Sequence, residues 1–194
     1  MARTLRSLSI SRHLATALGF IFFNYSYAVL ADDTEVIQYS APINLELKFQ
    51  ETRGDYRIQE WIPPGESLEN WSKMFTLTDS AGLSYLDPLI FFEEIAKQWE
   101  SACPAFGGRV LYSGTENGYA TAVWYLYCPD NPMTGKPEFT YFKGISGAHG
   151  FYTAQFAFAV FSHQMEQPLA DEATDQLKQV MLCDETRPDA HPCQ

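Results

Sequence analysis

The chain has 194 residues, of which 46% are hydrophobic and 19% charged, a composition that excludes a disordered chain and fits one globular domain. Its 24 acidic residues against 13 basic ones give a net charge of −11. That argues against nucleic acid as a partner, because affinity there rests on Lys and Arg neutralising phosphates.

Arg3, Arg6 and Arg12 precede any acid, and residues 14–23 form a short apolar run. This is the pattern of a secretory signal peptide, with Val29-Leu30-Ala31 predicting cleavage after Ala31. The run is too short for a membrane span, which needs about 20 apolar residues. Residues 1–31 are thus read as a signal peptide and 32–194 as one exported domain with no integral membrane segment. Cleavage removes three of the 13 basic residues and no acid, so 10 against 24 leaves a net charge of −14. Anionic lipid becomes a poor partner, and a neutral or basic envelope protein a better one.

Ile43, Leu45, Leu47 and Phe49 alternate with polar residues and predict a half-buried strand; Arg53-Gly54-Asp55 is a turn, and residues 56–62 return as a second strand stopped by Pro63-Pro64-Gly65. Ser67 is expected to cap one helical turn carrying Leu68 and Trp71, and residues 73–78 to form another short strand. Asp87-Pro88 is a helix start, since Asp caps free amides and proline suits the first helical position. Leu89, Phe92, Ile95 or Ala96, Trp99 and Ala102 then make one apolar stripe, with Glu93 and Lys97 paired on the outside.

From residue 109 onwards four strands are predicted, over 109–114, 119–128, 138–146 and 151–162, with Asn117-Gly118 as a tight hairpin signal. In the second of them, Ala122, Trp124 and Leu126 share one face, and Tyr119, Thr121, Val123, Tyr125 and Tyr127 the other. Both faces are apolar, as in a sheet covered on each side. A closing helix after Pro168 carries Leu169, Ala173, Leu177 and Val180 or Met181 inward. The fold class is α+β: a mostly antiparallel sheet with two main helices packed on it.

Cys103, Cys128, Cys183 and Cys193 in an exported protein read as two disulfides with three possible connectivities. Pairing 103 with 128 joins a helix end to a strand of the same unit, and pairing 183 with 193 pins the C-terminus. No close spacing of Cys or His supports a zinc site, and Asp130 and Asn131 are weak donors for calcium without the EF-hand pattern. No cofactor or metal is expected.

His149 lies in a glycine-flanked turn, His163 at a strand end and His191, taken as solvated, in the tail. None belongs to a recognisable catalytic motif, and no nucleophile elbow, zinc-protease motif or phosphate loop occurs. The carboxylate pairs Glu93-Glu94 and Asp171-Glu172 sit where solvation and the helix dipole explain them. Tyr125, Tyr127, Tyr141 and Tyr152 fall on neighbouring strands. Together with His149 they form the candidate binding surface, unless the second helix covers that face.

Three stretches carry a resemblance: Pro64-Gly65-Glu66-Ser67 running to Trp71-Ser72-Lys73-Met74; Asn117-Gly118-Tyr119 through Trp124, Cys128-Pro129 and Thr134-Gly135-Lys136-Pro137-Glu138; and Phe142-Lys143-Gly144-Ile145 through Phe151-Tyr152 to Cys183-Asp184. The chain resembles, over most of its mature length, a family of small uncharacterised exported proteobacterial proteins, departing from it at His149. The resemblance implies export and disulfides and carries over no catalytic residue. A weaker likeness is to the PsbP/Mog1-like fold, which would imply a binding or assembly role. The expectation is a non-enzymatic periplasmic binding or accessory protein, of inhibitor, immunity or envelope-assembly type. The alternative is a periplasmic hydrolase of cell-wall or carbohydrate substrates using paired carboxylates, with or without His149 or His163.

Overall fold

Alternation of apolar and polar residues builds nine strands and two helices in the computed structural model, which describes residues 34–193. The segment read as a signal peptide lies outside the described residues. The strands are β1 (Glu35–Gln38), β2 (Glu46–Arg53), β3 (Tyr56–Ile62), β4 (Lys73–Ser80), β5 (Gly107–Glu116), β6 (Tyr119–Asn131), β7 (Lys136–Ser146), β8 (Phe151–Phe158) and β9 (Met181–Asp184). Helix α1 (Pro88–Ala102) falls between β4 and β5, and α2 (Gln167–Lys178) between β8 and β9. Seven strands form an antiparallel sheet in the order β2-β3-β4-β8-β7-β6-β5, and β1 and β9 form a separate antiparallel pair. The α+β class with a mostly antiparallel sheet and two disulfides is therefore the observed one.

One face of the long sheet carries Ala122, Trp124, Leu126 and Phe142, packed under Phe91, Phe92, Ile95, Ala96 and Trp99 of α1. Trp124 and Phe142 are cross-strand neighbours with rings stacked 5.4 Å apart. The opposite face carries Phe75, Tyr119, Phe139, Tyr141, Ile145, Phe156 and Phe158, covered by Ala173 and Leu177 of α2, with Val180 and Leu182 beyond it. The central strands are thus apolar on both sides, as the sequence of β6 predicts.

The Asp87 carboxylate accepts the Leu89 N–H at 2.7 Å and caps α1. A buried lysine does the corresponding work for α2. Lys143 on β7 is fully enclosed; its ammonium donates to the Val180 carbonyl at 2.7 Å and the Leu177 carbonyl at 3.3 Å, and pairs with Glu116. Those carbonyls lie at and just past the C-terminal end of α2, where a cation is favourable. Cys103 closes on Cys128 and Cys183 on Cys193, the pairing that spacing favours.

Several local expectations differ. The first alternating segment starts at Glu46, not Ile43, which is 82% exposed beyond a left-handed Asn44. A bulge at Lys48 sets Leu47 opposite Trp61 and Phe49 opposite Glu60, so Leu47 and Phe49 face opposite sides despite their spacing. Ser67 caps no helix; Asn70 donates back to its carbonyl in a tight turn, and the Glu66 carboxylate clamps Ser72 through its N–H and hydroxyl. On α1, Leu89 and Ala102 are exposed and Phe91 takes a place on the inner stripe. Lys97 pairs with Glu94 rather than Glu93. Helix α2 stops at Lys178, so Met181 opens strand β9 instead of ending a helix, and β8 stops at Phe158, short of 162.

Candidate functional site

Strand pairing places a cleft beside β1. The β1–β9 pair lies on the α2 side of the long sheet. Asn117, at the β5–β6 turn, donates from its side chain to the Leu182 carbonyl at 2.8 Å, holding β9. Glu35 holds β1: its carboxylate is completely buried and accepts the Ala148 N–H at 2.8 Å and the His149 N–H at 2.9 Å. The Tyr152 hydroxyl of β8 donates to it at 3.5 Å. Beyond β1, on the side away from β9, Tyr39 packs on Trp61 and its hydroxyl donates to Gln59 at 3.5 Å, and next to it, over parts of β4, β3 and β2, a cleft of about 560 Å³ opens. Its volume is within the range of ordinary ligand sites.

Two cross-strand rows form its floor. In one, Thr52, Arg57, Asp79 and Tyr152 are successive neighbours across β2, β3, β4 and β8. In the other, Gln50, Gln59 and Leu77 are neighbours. The Arg57 guanidinium donates to the Asp79 carboxylate, 2.8 Å from Nε, so the charges of the floor are balanced. Gln50, Gln59 and Thr52 add neutral donors and acceptors, while Ile37 and Leu77 supply apolar surface. The rim carries Glu51, which accepts from Arg53 at 2.8 Å.

The closed end of this region is a charged network. Asp184 on β9 accepts from the Thr186 hydroxyl at 2.6 Å, from Arg187 Nε at 2.6 Å and from the Thr186 N–H at 2.9 Å. The Thr186 hydroxyl first, then the Arg187 guanidinium, hold its carboxyl far below the usual range. Arg187 also stands 3.7 Å from Glu35. Burial first, then the Glu35 charge, push the Tyr119 phenol well above its ordinary value. His191, expected to be solvated, instead stacks on Tyr119 at 4.1 Å with its Nδ1 2.9 Å from the Asn117 carbonyl oxygen; the disulfide at Cys193 draws the tail onto the sheet.

The tyrosines singled out in the sequence divide between two places. Tyr125, Tyr127 and Tyr141 cluster around Phe139 on β6 and β7, with Tyr141 buried and the Arg109 guanidinium 5.8 Å over the Tyr125 ring. Burial raises the Tyr141 phenol, with Tyr125 and Asp171 adding to it. Tyr152 lies toward the other end of its strand, where it lines the cleft. His149 is exposed in its turn, and its contact with Glu35 runs through its backbone. His163 is exposed with its ring against Phe161.

Sequence reasoning missed Gln50, Arg57, Gln59 and Asp79. Their signal was the alternation of β3, which sets Arg57 and Gln59 on the same face as Trp61 and so leaves polar groups where a core residue would otherwise stand. Two carboxyls are raised by burial, Glu60 and Glu138, and both face the α1 side, away from the cleft. Glu138 accepts from the Asn131 side-chain amide at 2.6 Å and the Thr140 hydroxyl at 2.8 Å. Asn131, weighed as a calcium donor, also accepts the Met133 N–H on its side-chain oxygen. Among the described residues no three His, Cys, Asp or Glu side chains come together as metal ligands, and no helix is long and apolar enough to cross a membrane.

No protein-family model and no curated protein matches the chain. Among solved structures it is similar to the crystal structure of LpqN, described as involved in cell envelope biogenesis of Mycobacterium tuberculosis. The identity is 14%, the TM-score is 0.46, and the match covers 76% of this chain and 83% of that one.

Proposed function

We propose that the protein is a non-enzymatic accessory protein of the periplasm that binds another envelope protein. The observation that carries this reading is the cleft beside β1. Arg57 and Asp79 in its floor are paired with each other, Glu35 and Glu51 are engaged by groups outside it, and its remaining polar groups are neutral amides and hydroxyls, a surface suited to recognition more than to proton transfer. The two carboxyls poised by burial to hold protons are on the opposite face, which gives the paired-carboxylate hydrolase no support from the cleft. Two disulfides and no free cysteine among the described residues favour an oxidising compartment.

The test is affinity capture from periplasmic extract with the full chain at several salt concentrations. A protein that co-purifies specifically, and is neutral or basic, is the expected outcome. Capture of nothing specific at any salt concentration overturns the reading.

A further inference from the structure

Among the described residues twelve large apolar side chains stand exposed, and four of them, Leu83, Tyr85, Leu89 and Ile90, fall within eight residues where β4 passes into α1. Scattered single exposures need no explanation, but a run of this kind does. Tyr85 is the extreme case. It is 77% exposed, and its side chain has no hydrogen-bond, ion-pair or stacking partner among the described residues.

Its backbone is unusual as well. Tyr85 has φ +58°, the left-handed region that glycine enters freely and a bulky residue enters at a cost. Its neighbours force it there. The Tyr85 N–H donates to the Gly147 carbonyl at 3.0 Å, and the Leu86 N–H closes a turn onto the Leu83 carbonyl at 3.3 Å. Just beyond, the Asp87 cap and Pro88 fix the start of α1. The receiving turn at residues 147–150 is itself held by Glu35 and carries the exposed His149. A glycine at position 85 would make the same backbone bonds without strain. The chain instead holds a large ring there in solvent, and strain of this kind gathers at sites of contact.

Charge selects the occupant. Residues 81–97 carry three acids, Asp87, Glu93 and Glu94, against one base, Lys97, which pairs with Glu94. Glu93 and Glu94 are exposed one turn on from the half-exposed Ile90, on the same side of α1. These carboxylates repel an anionic lipid surface, and a second copy would bring the same carboxylates and a net charge of −11. A protein surface with apolar side chains beside Lys or Arg meets both the ring and the carboxylates.

We propose that residues 83–90 dock an apolar, basic patch of a partner protein, with the Tyr85 ring as the anchor and Glu93 and Glu94 meeting the partner's cations. This rests on the reading of the protein as a binder and names where, and by what chemistry, the contact is made. A tyrosine buried at the centre of an interface is among the residues that carry most of its binding energy. Glu35 lines the cleft and also holds the turn that receives Tyr85, so the loop and the cleft are neighbours across that turn.

The probe is the photo-crosslinking residue p-benzoylphenylalanine, placed at position 85 of the full chain in the producing cell. The same group at position 50 in the cleft and at position 133 in the exposed β6–β7 loop serves as reference. The expected result is one crosslinked protein from position 85, joined at a segment with apolar residues beside Lys or Arg, and none from position 133. With that protein purified, Tyr85→Gly should weaken its Kd at least about 10-fold, while Tyr85→Phe keeps it. The thermal midpoint of Tyr85→Gly should be equal to wild type or higher, because glycine relieves the left-handed backbone; a residue with a merely structural role would lose stability instead. Glu93→Lys combined with Glu94→Lys should weaken binding more at low salt than at high salt. Crosslinking only to lipid, to a second copy or to an acidic segment overturns the proposal. So does a Kd that ignores Tyr85→Gly, or a lowered midpoint for that variant. A protein crosslinked from position 50 and not from position 85 leaves the binding reading standing and removes this inference alone.

Discussion

Strands β6, β7 and β8 are enclosed on both faces, whereas the β2–β3 hairpin of the same sheet has mostly exposed or half-exposed side chains and ends in Trp61 and Ile62 as its only buried ones. The difference lies in what packs on them. Helix α1 and helix α2 each cover the first group, and the short β1–β9 pair stops before it reaches the second. A single sheet thus divides its labour: stability is concentrated on one side of β4 and adaptable surface on the other.

The sharpest test of this division is a pair of truncations. Trp124→Ala should lower unfolding free energy by about 3–5 kcal/mol in urea denaturation, because it leaves a cavity between α1 and the sheet. Leu47→Ala, 45% exposed on β2, should stay within about 0.5 kcal/mol. Equal costs would break the comparison.

The two disulfides give the next contrast. Cys103–Cys128 spans 25 residues and staples α1 to β6, while Cys183–Cys193 spans 10 in the tail. Chain entropy alone makes their removal cost about 3.5 and about 2.7 kcal/mol respectively. Paired Cys→Ser variants compared by denaturation would check the order.

Lys143→Met should cost about 1–3 kcal/mol, because the Val180 carbonyl just past α2 loses this donor while the Leu177 carbonyl keeps the Val180 N–H, with helix content falling before the sheet signal in circular dichroism. A neutral outcome would mean that α2 contributes less to the covered half than its packing implies.

The smallest effects are in pH. Burial raises the Glu138 carboxyl, so its protonated form is the one the fold prefers; stability from it is present in acid and is lost as pH climbs above the ordinary glutamate value. Glu138→Gln should therefore gain on wild type as pH rises from 4 to 7. Asp184 has the opposite sign: its depressed carboxyl stabilises above the ordinary aspartate value and loses that contribution as pH falls. Asp184→Asn should be destabilised at neutral pH, with the gap closing in acid. Thermal unfolding across pH 3–7 reads both, and slopes of the same sign would refute the assignment.

The covered half was readable because each strand there carries its own pattern: Trp124 alternates with Tyr125, Asn117-Gly118 marks the hairpin with both residues at positive φ, and Asp87-Pro88 starts α1 where expected. The uncovered half was harder. The bulge at Lys48 breaks the period of two, and nothing in the local sequence announces it. Strands β1 and β9 are four residues each, too short to show a period, and β1 exists because Glu35 meets the amides of a turn more than a hundred residues away. The cleft was invisible for the same reason: its wall, β1, is set beside its floor by a turn and a strand more than a hundred residues away. Tyr152, grouped in the sequence with Tyr125, Tyr127 and Tyr141, stands beside Asp79 in the row that includes Arg57, away from Tyr125.

The pairing of β1 with β9 also sets a clock. About 150 residues separate Glu35 from its partner Asp184, which at roughly 5–20 residues per second is about 10–30 s of synthesis. During that interval the first strand has no partner on either side, while the helices and the hairpins between them have every local contact they need. Closure of the fold is then a late event governed by the arrival of the last strand. A chain interrupted before Met181 would retain most of the long sheet and leave β1 held through Glu35, without its partner strand.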